Sequence, residues 1–142
     1  MSKRTPEDKS IARAKVNLGK AISKCRSSQK TQRQLALAIG LPPSNLKYIE
    51  DGINAPTAEV YSRLINELKP TVEMRNRMDR LYMIIRKTPP PDVSAVVVTN
   101  PCLVDMLRGL AGKQITTEQI AQMNALISSF PQSDNEGEKK HG

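Results

Sequence analysis

Ser44, Asn45 and Lys47 put a hydroxyl, a carboxamide and an ammonium in one short run, directly after the pair Pro42–Pro43. These groups exchange hydrogen bonds. A carboxamide can pair bidentately with adenine, and an ammonium can donate to guanine. The sequence offers no comparable set for catalysis. Its single His, His141, stands in the polar C-terminal stretch PQSDNEGEKKHG, so no nucleophile–base pair can be assembled. There is no Gly-rich phosphate loop, and the carboxylates are scattered. Cys25 and Cys102 lie far apart among apolar residues, without a CxxC or Cys/His spacing, and read as two small buried hydrophobes. No catalytic residue, metal site or cofactor is expected, and the chain does not read as an enzyme.

Charge points the same way as the hydrogen-bonding groups. The 142 residues carry a formal net charge of +8. Residues 1–88 hold 18 Lys and Arg against 8 Asp and Glu, whereas residues 89–142 hold 4 against 6. A basic N-terminal part beside a mildly acidic remainder suits a polyanion partner, nucleic acid first. One Phe and three Tyr make a poor stacking platform for single-stranded RNA. Residues 1–10 lack the apolar stretch of a signal peptide, and no apolar run approaches a bilayer span of about 20 residues. The expected location is the cytoplasm of a bacterial cell or a phage-infected host, with no membrane partner.

Helices must position these groups. Residues 1–8 read as a disordered polar tail, followed by a helix over residues 11–26 with Ile11, Ala14, Leu18, Ile22 and Cys25 on one stripe. Thr31 and Gln34 form a capping box for a second helix that Gly40 ends. A third runs from Pro42–Pro43 to about residue 51, with Leu46 and Ile49 inward and Gly52 at its end. Thr57 caps a fourth, over residues 57–68. The fifth, over residues 72–87, carries Met74, Met78, Leu81, Met83, Ile84 and Ile85, with Arg75, Arg77, Arg80, Arg86 and Lys87 exposed.

Pro89, Pro90 and Pro91 read as a stiff linker and a domain boundary. Residues 93–99, VSAVVVT, are β-branched and apolar, which predicts either a short strand or an extended segment lying on a helix. Two further helices, over residues 101–111 and 117–130, make a hairpin, with Gly112 ending the first and Thr116–Gln119 capping the second. Two helices alone bury little surface, so the hairpin must pack on the rest of the chain or on a second copy. Residues 131–142 read as a disordered tail.

The pattern Leu18-Gly19-x-x-Ile22-x-x-x-Arg26, Thr31-Gln32-x-x-Leu35-Ala36, Gly40, Leu46-x-x-Ile49-Glu50-x-Gly52, Pro56, Leu64 and Leu68 carries a resemblance. Residues 18–68 resemble the helix-turn-helix domain of the lambda-repressor/Cro-like regulators, often called the Xre family. The segment between Arg26 and Thr31 is about one residue shorter than the family's. The resemblance implies that Pro43, Ser44, Asn45, Lys47 and Tyr48 occupy recognition-helix positions, with Tyr48 either facing DNA or packing on its neighbour. It implies backbone contacts from Gln32, at a helix N-terminus suited to phosphate, and from Asn54. Lys30 and Arg33 join them by charge. Arg26 and Glu50 match a pair that forms an internal salt bridge.

One departure bears on the reading helix. The family usually has a Ser or Thr cap where Pro42 stands, and proline offers no side-chain acceptor. Pro43 suits the first helical position, where its missing N–H would be unsatisfied anyway. Base reading is therefore expected to fall on Ser44, Asn45 and Lys47.

The expected architecture is all-α. A five-helix lambda-repressor-like DNA-binding domain (residues 9–88) is followed by a Pro-rich linker with a possible strand (89–100) and a C-terminal helical hairpin (101–130). The expected function is a sequence-specific regulator of transcription, a repressor binding double-stranded DNA at a palindromic operator as a homodimer. Val96, Val98, Leu103, Leu107, Leu110, Ile120, Met123, Ile127 and Phe130 are the dimerisation candidates. The alternative is an antitoxin, or a phage-encoded inhibitor of a host nuclease, whose residues 93–130 bind another protein.

Overall fold

The computed structural model describes residues 4–132, and these are all-α, eight helices with no strand among them. The chain divides into two compact units, Met1–Pro101 and Cys102–Gly142.

In the first unit, α1 (Pro6–Ser27) starts earlier than its apolar stripe suggests. Thr5 and Asp8 close a capping box around its first turn, so the polar segment before residue 9 is helical from Pro6. Those hydrogen bonds hold the Asp8 carboxyl below its usual range. Residues 1–3 and the tail from residue 133, with His141, lie outside the described residues.

Helices α2 (Gln32–Ala38), α3 (Pro43–Glu50), α4 (Ala58–Leu68) and α5 (Val72–Arg86) complete the predicted five. Helix α1 packs against each of the other four. One aliphatic core joins Leu18 and Ile22 of α1, Leu35 of α2, Leu46 of α3, Leu64 and Leu68 of α4 and Met78 of α5. Two tyrosines are buried with them. Tyr61 and Tyr82 stack with ring centroids 4.4 Å apart, and the Tyr61 hydroxyl donates to Asp79 at 2.6 Å. Helix α5 buries Met78 and Tyr82 and leaves Met83 and Ile84 exposed, so its inward stripe is narrower than its apolar residues suggest.

Glycine sets the approach of α1 to α3. A Cβ on Gly19 would sit 2.5 Å from the Ile49 carbonyl oxygen and closer still to that of Glu50. Gly52, at φ +78°, turns the chain away after α3, and a Cβ there would sit 2.6 Å from the Val16 Cα.

The triple proline opens a helix. Pro91 is the first residue of α6 (Pro91–Thr99), and the Pro90 carbonyl accepts from the Val93 and Ser94 N–H groups at 3.0 Å each. The expectations of a strand at residues 93–99 and of a linker across residues 89–100 are thus corrected. A proline in the first turn loses no helical hydrogen bond, and packing of α6 on α4 overrides the β preference of its valines. Arg75 of α5 pairs with Asp92 of α6 at 2.7 Å. The first unit therefore runs through Pro101, beyond the boundary expected at the prolines.

The second unit holds α7 (Leu103–Arg108) and α8 (Thr117–Ser128). Helix α7 is shorter than expected: it stops at Arg108, and turns carry the chain to Gly112 at φ +76°. Thr116 and Gln119 form the predicted capping box of α8. No residue of either helix is buried. Cys102 is exposed and Cys25 only half-buried, which corrects the reading of both as buried hydrophobes. Among the described residues, no helix is long and apolar enough to cross a membrane.

Candidate nucleic-acid interface

The region around α3 is built from its supports outward. Thr31 accepts from the Gln34 N–H at 3.1 Å, and the Gln34 carboxamide accepts from the Thr31 N–H at 2.8 Å, which fixes the start of α2. At the other end, Leu41 N–H donates to the Ala36 carbonyl at 2.9 Å while Gly40 takes φ +68°. Arg63 of α4 donates to the Ile39 carbonyl at 3.1 Å, satisfying an acceptor at the end of α2. The sequence signal for Arg63 was only its position four residues after Glu59.

Pro42 caps α3 without a side-chain hydrogen bond, and its carbonyl accepts from the Asn45 and Leu46 N–H groups at 3.0 and 3.3 Å. The double proline thus stiffens the helix start and supplies a backbone acceptor only. Leu46, Ile49 and Glu50 form the buried side of α3. Pro43, Ser44, Asn45, Lys47 and Tyr48, all five of the predicted recognition positions, are exposed. Tyr48 is 45% exposed, so its ring is not a packing element of the core.

Glu50 locks the buried side. Arg26 donates through Nε to Oε2 at 2.7 Å and through a terminal nitrogen to Oε1 at 2.9 Å, a bidentate pair. A third guanidinium hydrogen bond reaches the Lys30 carbonyl at 3.1 Å. Gln32 adds a hydrogen bond from Nε2 to Glu50 Oε1 at 3.0 Å. One carboxylate therefore joins α1, α2 and α3. Gln32 is engaged with Glu50 in this state, so a phosphate contact through its side chain requires a rotamer change or the use of its backbone N–H.

The remaining candidates divide. Arg33 is exposed and enters no ion pair among the described residues. Lys30 instead pairs with Glu67 of α4 at 2.7 Å, holding that carboxyl below its usual range. Lys47 pairs with Asp51 at 2.7 Å, which raises the lysine pKa; the pair is exposed and contributes little to stability. Asn54 is exposed just beyond α3, and its N–H donates to the Tyr48 carbonyl at 3.2 Å, tying that loop to the helix end.

The dimerisation candidates fall in both units. Val96 and Val98 are exposed on α6 of the first unit. In the second unit, Leu107, Ile120, Met123, Ile127 and Phe130 are exposed, and Leu103 and Leu110 are half-buried.

Sequence reasoning missed the polar chain Tyr61–Asp79–Arg75–Asp92, which links α4, α5 and α6. It also missed Arg86, which reaches the Pro56 carbonyl at 2.9 Å and that of Ala55 at 3.1 Å and so anchors the loop before α4. The regular spacing of arginines on α5 gave no sign of which ones turn inward. Compared with protein-family models, curated proteins and solved structures, the chain finds no match.

Proposed function

We propose that the protein is a sequence-specific double-stranded DNA-binding regulator of the lambda-repressor/Cro-like kind, a repressor that reads its operator with α3. One observation carries this reading. Helix α3 is fixed from behind by the Arg26–Glu50–Gln32 cluster, while Ser44, Asn45, Lys47 and Tyr48 are exposed to solvent. A rigid helix with short hydrogen-bonding side chains suits a major groove. The arrangement of α1 to α5 and the order of the motif residues support the family resemblance.

The second unit supports homodimer formation. No residue of α7 or α8 is fully buried, and Leu107, Ile120, Met123, Ile127 and Phe130 are exposed. Two copies would present two α3 helices to half-sites about 34 Å apart. The same exposure suits the second reading, in which residues 93–130 hold a different protein and DNA binding serves autoregulation.

The test is sedimentation of the purified chain, alone and with a random-sequence duplex at two salt concentrations. The regulator reading expects a dimer whose affinity falls steeply with salt, because each phosphate contact releases counterions. A monomer without duplex affinity at low salt contradicts it.

A further inference from the structure

The face of α3 is nearly neutral. Its one exposed cation, Lys47, is paired with Asp51. The excess positive charge of the first unit lies elsewhere, and on α1 it is ordered. Lys9, Arg13, Lys20 and Lys24 are spaced four, seven and four residues apart. At 3.6 residues per turn they fall within about 60° of arc, and at 1.5 Å per residue they span about 22 Å. All four side chains are exposed, on the side opposite buried Leu18 and Ile22.

The stripe has no internal role among the described residues, where none of its four cations enters an ion pair. The carboxylates of α1, Glu7 and Asp8, both lie in its first turn. Glu7 is paired with Lys87 and Asp8 with the helix cap. Beyond that turn nothing on α1 offsets the charge.

We propose that this stripe is a second phosphate-contact surface, separate from the exposed face of α3, and that its occupant is the sugar–phosphate backbone of duplex DNA. The chemistry selects a nucleic acid over an acidic protein. Protein interfaces centre on clustered aromatic or large apolar anchors, and this stripe has no such cluster: the residues beside it are Asn17, Ser23, Ser27 and a single exposed valine, Val16. A row of separated point charges suits a polymer whose charges recur at regular intervals. The inference rests on the duplex-binding reading and adds to it a surface that carries affinity without sequence preference.

The experiment uses the full chain and a random-sequence duplex, with affinity measured by fluorescence anisotropy between about 50 and 200 mM salt. One variant carries Lys9→Gln, Arg13→Gln, Lys20→Gln and Lys24→Gln. A second, matched in net charge, carries Lys69→Gln, Arg77→Gln, Arg80→Gln and Lys113→Gln. Circular dichroism melting verifies that both remain folded. At about 0.9 per phosphate, the slope of log affinity against log salt is expected to drop by about 3 to 4 in the first variant and by less than about 1 in the second. An equal drop in both would reduce the stripe to diffuse charge and overturn the proposal. An unchanged slope in the first would also overturn it, leaving a solvated face or a docking surface for an acidic protein. Failure of the unaltered chain to bind duplex at any salt would instead contradict the duplex-binding reading itself.

Discussion

The two units of this chain solve the same problem differently. The first closes a core of its own: Leu18, Ile22, Leu35, Leu46 and Leu64 are fully buried, a tyrosine stack is buried with them, and a bidentate ion pair ties α1 to α3. The second has two helices, one of them closed by a capping box, and apolar residues, but no buried side chain among the described residues. Local signals therefore suffice to make helices in both units, while only one has enough helices to enclose anything. Stability in the first unit should be a property of the single chain. In the second it should depend on what covers it.

The largest expected effect comes from breaking the cluster that ties α1, α2 and α3. Arg26→Ala leaves Glu50 with Gln32 as its remaining described side-chain partner and should cost about 3 to 5 kcal/mol, read as a lower urea midpoint. Duplex binding would be lost with folding, so this variant reports on architecture rather than recognition. Gly19→Ala follows. Its new methyl would meet two α3 carbonyls, and the strain should cost about 1 to 3 kcal/mol in the same assay.

A third effect is confined to alkaline pH. Burial, and then the hydrogen bond to Asp79, raise the Tyr61 pKa above its ordinary value. A folded-state pKa above the unfolded one gives stability that is intact below about pH 10 and declines as pH rises past it. The urea midpoint should fall in that window, and the fall should be smaller in Tyr61→Phe. An undiminished fall would place the titrating group elsewhere. The smallest effect on the core is expected from the second unit. The pair Leu107→Asp and Met123→Asp should move the first unit's unfolding by less than about 0.5 kcal/mol, yet convert a sedimenting dimer to monomer. A large loss of core stability would break the distinction between the units.

The fold was legible where residues act on their immediate neighbours. The capping boxes at Thr31 and Thr116 and the left-handed turns at Gly40 and Gly52 could each be read from a few letters, and each is formed. The Arg26–Glu50 pair was legible through resemblance, because 24 residues separate its members. Residues 93–99 misled because β-branched composition is a weak preference that packing against α4 reverses. Tyr82 was illegible for a similar reason. Met83 and Ile84 are as apolar as Met78, and only the placement of α1 decides which part of α5 turns inward. At the candidate interface, exposure of Ser44 and Lys47 followed from their place away from Leu46 and Ile49, and that of Asn45 from its place in the first turn of α3. The engagement of Gln32 with Glu50 and of Lys30 with Glu67 did not, since both partners are distant in sequence.

The central claim is that the exposed side of α3 reads base sequence. Selection of duplexes from a random pool, followed by titration of the chain and of Asn45→Ala against selected and random duplexes, tests it most directly. The account predicts enrichment of a two-fold symmetric site bound about a thousandfold or more above random DNA. Asn45→Ala should lose about 1 to 3 kcal/mol of that preference while melting as the unaltered chain does. A pool that enriches no sequence, or a preference that survives Asn45→Ala and Lys47→Ala together, would contradict it.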